Sequence, residues 1–155
     1  TSIGIRLESW VASWHIFIEN PVIGVGWGKY HENVKDLVDR GVVHNSVRKW
    51  LHPHIQFFSS MSNGGVLGLV STLALVFILI IIFIRVIKAS DKSDDSHRMA
   101  LAGLIMVVCF AIFNLTESFL ERSRTVGFFA FYLAVFMAAI YENRNTPTGD
   151  EGKIA

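Results

Sequence analysis

The chain has 155 residues, of which 52% are hydrophobic and 17% charged, with a formal net charge of +1. A balance this close to neutral excludes nucleic-acid binding driven by bulk charge. A single cysteine, Cys109, excludes a disulfide framework and a CxxC metal site. There is no signal-peptide pattern at the start. The chain opens at Thr1 in mid-pattern, which predicts a piece of a longer protein.

Residues 1–63 mix polar and aromatic residues and read as a helix-loop-helix region outside the bilayer core, on the periplasmic side. Leu7, Trp10, Val11, Trp14, Phe17 and Ile18 repeat with the i, i+3, i+4, i+7 spacing of an amphipathic helix. Asn20-Pro21 ends it, because a residue before proline is pushed out of the helical region. Gly24, Gly26 and Gly28 in PVIGVGWGKY suit a tight loop. No strand precedes them and the dinucleotide spacing is not met, so they carry little weight as a phosphate site. The nearby tryptophans and tyrosine fit an interfacial aromatic belt. A second helix is expected from Pro53, a residue favoured at the first helical position, to Asn63-Gly64, with His54 in its first turn.

Three uncharged stretches follow, at 66–84, 99–116 and 126–141. A bilayer core about 30 Å thick needs roughly 20 apolar helical residues; the third stretch is short and must borrow its flanks. The expected architecture is all-α: a polytopic helical membrane protein fragment with three transmembrane helices within 64–141. A polar tail, 142–155, reads as disordered. Lysines and arginines of short loops mark the cytoplasmic side. Arg85, Lys88, Lys92 and Arg98 place the 85–98 loop and the tail there, and put residues 1–63 and 117–125 outside. The six basic residues of the N-terminal region oppose this, but the rule acts weakly on a segment of that length.

His15, His31, His44, His52 and His54 all lie in the N-terminal region. Metal ligation by His52 and His54 is disfavoured, since ligands at i, i+2 do not share a helix face and no cysteine completes a site. A His54 near a helix N-terminus faces the positive end of the dipole, which favours the neutral, proton-accepting ring. From local chemistry alone, an interfacial structural histidine is the commoner outcome. Arg6, one turn before Trp10, reads as a headgroup anchor unless the substrate carries phosphate, whose oxygens a guanidinium grips bidentately. In ESFLERSR the charges read as a solvated turn, except Glu117, which directly follows an apolar run and calls for a partner. Asn114 is expected to bond to a neighbouring helix.

Together these segments resemble the O-antigen ligase and polymerase superfamily. IRLESWVASWHIFIENPVIGVGWGKY is similar to its arginine, tryptophan, amphipathic helix, proline and glycine-loop pattern. HPHIQFFSSMSNGGVLGL is similar to its histidine motif, with His54, Phe57, Phe58, Met61, Gly65 and Gly68 in matching places. NLTESFLERSRTVGFFAFYLA resembles the next external loop and last span. Ile55 stands where the family has asparagine. His44-Asn45-Ser46 imitates the missing pair but lies too far from Gly65. The resemblance implies a multi-pass enzyme of the bacterial inner membrane, whose earlier spans and a further arginine are missing from this chain. Such an enzyme moves a glycan from undecaprenyl diphosphate to an acceptor hydroxyl at the periplasmic face. The acceptor is lipid A-core in a ligase, a growing glycan in a polymerase, or a protein serine in an O-oligosaccharyltransferase. It implies no cofactor, metal or nucleic acid, and partners limited to the lipid-linked donor, the acceptor and membrane lipids. By the same resemblance Arg6 binds the diphosphate and His54 activates the acceptor, with His52 and Glu117 in support. The placement of His54 favours a ligase over a polymerase. A non-catalytic membrane subunit or transporter segment is the reading of a different class; a charged residue in mid-span would support transport, and the three stretches contain none.

Overall fold

The computed structural model describes residues 2–50 and 52–145. They form five helices: α1 (Ser2–Glu19), α2 (Tyr30–Asp39), α3 (Gln56–Ala89), α4 (Asp95–Phe113) and α5 (Ser123–Asn145). Short 3₁₀ turns at Asn45–Val47 and Phe119–Glu121 lie in the connections. The fold is all-α, with α3, α4 and α5 long and apolar enough to cross a membrane.

α1 ends at Glu19, as Asn20-Pro21 predicts. Its inner face is small: Ser9, Ala12, Ser13 and Ile16 are buried, while Leu7, Val11, Trp14 and Ile18 are exposed. The apolar stripe is therefore the outer face. Small residues let α1 approach α2 closely, where Tyr30 Oη donates to the Ser9 carbonyl at 3.0 Å. α2 is an addition to the expected helix-loop-helix. It buries Tyr30, Val34 and Leu37, one helical face, into a core shared with Ala12, Ile16, Val43 and Val47.

α3 begins at Gln56, with extended Ile55 as its cap, and not at Pro53. His54 therefore precedes the helix and is not in its first turn. Pro53 is fully buried. The helix is broken at Gly65 (φ 61°, ψ −153°), next to the predicted stop at Asn63-Gly64. The halves fold against each other: the Ser60 and Thr72 hydroxyls lie 2.7 Å apart. A straight helix would hold positions that far apart at roughly 18 Å.

A break leaves backbone groups without helical partners, and the glycine loop supplies them. Val25 N donates to Ser62 O (3.0 Å) and Gly26 N to Asn63 O (2.9 Å); Val66 N donates to Pro21 O (2.8 Å). Gly24 and Gly65 both have positive φ, and a Cβ on either would overlap the backbone of the opposing segment. The glycines thus serve a backbone-to-backbone clamp.

The spans hold a second core of Leu79, Phe83, Val86, Ala100, Val107 and Ile140. Phe83 is fully buried with its ring against Gly103, which joins α3 to α4. α4 stops at Phe113, short of the expected 116. α5 runs from Ser123 to Asn145, so the third span borrows flanks on both sides. The α3–α4 connection shrinks to 90–94, where Asp94 caps α4 by accepting from Ser96 N at 3.0 Å. Of the expected tail, 142–145 continue α5 and 146–155 lie outside the described residues.

Candidate functional site

The segment before α3 and the α4–α5 loop meet at one place. Gln56 makes the junction. It is fully buried, its backbone N donates to Asn114 O (3.1 Å), and its side-chain Oε1 accepts from Leu120 N (2.9 Å). Its Nε2 donates to Ser60 Oγ at 3.1 Å. The Asn114 side chain bonds within its own helix, to Phe110 O (2.7 Å); it is the Asn114 backbone carbonyl that reaches α3.

This junction sets Glu117 beside His54. Glu117 Oε1 is 3.6 Å from His54 Nδ1, and its other oxygen accepts from Arg122 Nη2 at 3.1 Å. The carboxylate lies between imidazole and guanidinium, so the arginine fixes the group that faces the histidine. His54 adopts φ 59°, and it is the positive-φ residue other than glycine among those described. That conformation costs about 1–2 kcal/mol per residue and persists where the surroundings enforce it. The surroundings are aromatic: the Trp50 ring meets His54 edge-on at a centroid distance of 4.3 Å, and the His52 ring lies equally close. Trp50 is in turn held by its carbonyl, 3.1 Å from His31 Nδ1.

His52 is held below the ordinary imidazole range, first by burial and then by His54 and Arg122; Glu117 opposes the shift. Glu121, in the same loop, is pushed up to about 7 by burial.

The other sequence candidates fall elsewhere. His44 is a structural cap: its Nδ1 accepts from Ser46 N (3.1 Å), and its own backbone N donates to Glu8 Oε2 (3.1 Å). Arg6 is exposed on α1, and its side chain makes no ion pair or hydrogen bond with the described residues. It shares a helix face with Trp10, whose ring stacks on Phe58 at the start of α3 with centroids 5.7 Å apart. No hydrogen bond or ion pair among the described residues joins Arg6 to His54. Sequence reasoning placed Arg122 in a solvated turn with local ion pairs and passed over Trp50 and Gln56. The spacing of Glu117 and Arg122 in one short loop was the available signal for Arg122.

Residues 1–73 match the family model described as O-antigen ligase. The matched stretch runs from α1 through the glycine clamp, His52 and His54 to the first turns after the α3 break. It is consistent with the C-terminal region of an O-antigen ligase-like protein, and it points broadly to an enzyme of the glycosyltransferase or ligase type. Glu117 and Arg122 lie beyond the O-antigen ligase match, and geometry alone ties them to it. No curated protein matches the chain.

Proposed function

We propose that this chain is the C-terminal part of an O-antigen ligase-type enzyme, transferring a glycan from undecaprenyl diphosphate to an acceptor hydroxyl on the periplasmic side of the inner membrane. The observation that carries this reading is the alignment of His54, within the O-antigen ligase match, with Glu117 and Arg122, which lie beyond it. Glu117 stands 3.6 Å from Nδ1, just beyond hydrogen-bond reach, and neither ring nitrogen of His54 has a hydrogen-bond partner among the described residues. Closing of the carboxylate onto Nδ1 when the acceptor binds favours the tautomer with its proton there, leaving the Nε2 lone pair to accept. The acceptor O–H gives its proton to His54 Nε2 as its oxygen bonds to the anomeric carbon. The bond from that carbon to the diphosphate breaks, and the departing oxygens take up the negative charge. A guanidinium meets such charge best; Arg6 is the candidate, brought to the donor by the exposed face of α1. No step requires a metal or a cofactor. Lipid A-core is the favoured acceptor; a glycan or a protein serine is the alternative, as in a polymerase or an oligosaccharyltransferase.

The test is transfer of lipid-linked glycan by the purified full-length protein in liposomes. His54→Ala abolishes transfer at unchanged protein level, while His44→Ala is tolerated. Arg6→Lys keeps charge but loses the planar fork. Losing a charge-assisted hydrogen bond costs about 1.5–3 kcal/mol, or roughly tenfold to a hundredfold in rate. Arg6→Lys is therefore partly active and Arg6→Ala almost inactive. Equal losses at His44 and His54 would reject the histidine assignment, and full activity of Arg6→Ala would reject the diphosphate role.

A further inference from the structure

The loop that brings Glu117 to His54 delivers a second carboxyl group to a different place. Glu121 and Leu120 close a cavity of about 450 Å³ against Trp27 and Gly28 of the glycine loop, Tyr30 and Asn63. That volume falls within the roughly 300–1,000 Å³ of small-molecule sites. Asn63 is only 4% exposed. Its Nδ2 is engaged by Ser59, at 3.0 Å from the carbonyl and 3.1 Å from the hydroxyl. Its Oδ1 has no hydrogen-bond partner among the described residues, and neither has Glu121 Oε1. Buried acceptors of this kind are costly to leave unpaired, and here two of them belong to residues lining one cavity.

The lining residues exclude some ligands. None is basic, so the cavity does not fit a phosphate. Hard cations take six or more oxygen ligands, and one carboxylate with one amide is too few. What fits two waiting acceptors is a ligand rich in hydroxyl donors. The Trp27 ring beside them is 60% exposed, an apolar face with a polar rim.

We propose that this cavity is a saccharide subsite, in which Asn63 Oδ1 and the Glu121 carboxylate accept hydrogen bonds from sugar hydroxyls and Trp27 covers one face of the ring. The proposal rests on the glycan-transfer reading and deepens it, naming residues that select the sugar apart from those that move the proton. It also explains why Glu117 and Glu121 share one short loop clamped by Gln56: seating the sugar and aligning His54 depend on the same segment.

The probe is the set of oligosaccharides released by mild acid from the lipopolysaccharide of the native host. Their binding to full-length protein in nanodiscs is measured by calorimetry. Glu121→Gln removes the anionic acceptor and weakens binding by about tenfold; Trp27→Leu, at an exposed position that leaves the fold intact, also weakens it. Because burial raises Glu121 to about 7, wild-type affinity rises between roughly pH 6 and 8 as the carboxylate forms. Glu121→Gln loses that rise. Wild-type affinity in both variants, or no binding by the wild type, overturns the subsite. His54→Ala separates the two readings. If it abolishes transfer while binding the oligosaccharides normally, both stand. Should transfer be indifferent to His54 while binding still depends on Glu121 and Trp27, the subsite survives and the proton-transfer assignment falls.

Discussion

Gln56 shows how much one side chain decides here. Its amide accepts from Leu120 N and donates to Ser60 Oγ, while its backbone N caps the end of α4 through Asn114 O. Truncation to Ala keeps the backbone bond and removes both side-chain bonds. Buried groups left unpaired cost about 1–3 kcal/mol. Gln56→Ala is therefore expected to lower the melting temperature of the detergent-solubilised protein and, because Glu117 rides on the loosened loop, to reduce glycan transfer. A variant that melts and transfers like wild type would show that the loop is held by other means. The same residue explains what the sequence could convey about the site. His54 stood out by its motif, and Glu117 by following an apolar run with a charge that needs a partner. Their meeting depends on a hydrogen bond between positions 64 apart, and no local spacing encodes that. The placement of His54 in the first turn of a helix failed for a related reason. Pro53 can begin a helix, but here it is buried beside a left-handed His54, and the first helical residue is Gln56.

At the scale of elements, the α3 break and the glycine loop are one device. A helix stops and restarts at Gly65 because Gly24 and its neighbours are close enough to take over the lost hydrogen bonds. Gly65→Ala meets two obstacles. Its φ of 61° costs an L-residue about 1–2 kcal/mol, and its Cβ would overlap the Val22 carbonyl. Gly24→Ala faces the same pair of problems against Asn63. Both variants should melt well below wild type. Gly127→Ala in α5 meets nothing and should be neutral or stabilising, since alanine is the better helix former by about 1 kcal/mol. Equal melting temperatures for all three would mean the clamp bears no load. The glycine positions were readable as a tight loop, but not as the partner of a helix 40 positions away. α2, by contrast, was legible and passed over. Tyr30, Val34 and Leu37 have helical spacing, yet glycines before it and a polar stretch after it suggest a loop. The three spans were plain because length and apolar character alone define them; the ends of α4 shifted where Asp94 and Asn114 cap it.

At the scale of the whole molecule, the described residues form two cores: one under α1 and α2, the other among α3, α4 and α5. The spans keep most of their apolar surface on the outside, which suits a hydrocarbon surround and not water. His54, Glu117 and the glycine loop all lie at the end where α3 begins and α4 finishes. The basic residues Arg85, Lys88, Lys92 and Arg98 cluster at the opposite end, around the 90–94 connection. If lysine and arginine mark the cytoplasmic side, the candidate site faces the periplasm, the side on which the proposed transfer would take place. Three exposed positions test this directly: Lys35 on α2, Ser123 at the start of α5, and Ser93 in the 90–94 connection. Cys109 is itself exposed within α4, so it is first replaced by serine. In intact cells carrying the full-length protein, cysteine at Lys35 or Ser123 should react with a membrane-impermeant maleimide. Cysteine at Ser93 should react only after the membrane is opened. The opposite pattern would put the histidine site in the cytoplasm, away from any periplasmic acceptor, and glycan transfer by this route would be untenable however complete the site's geometry.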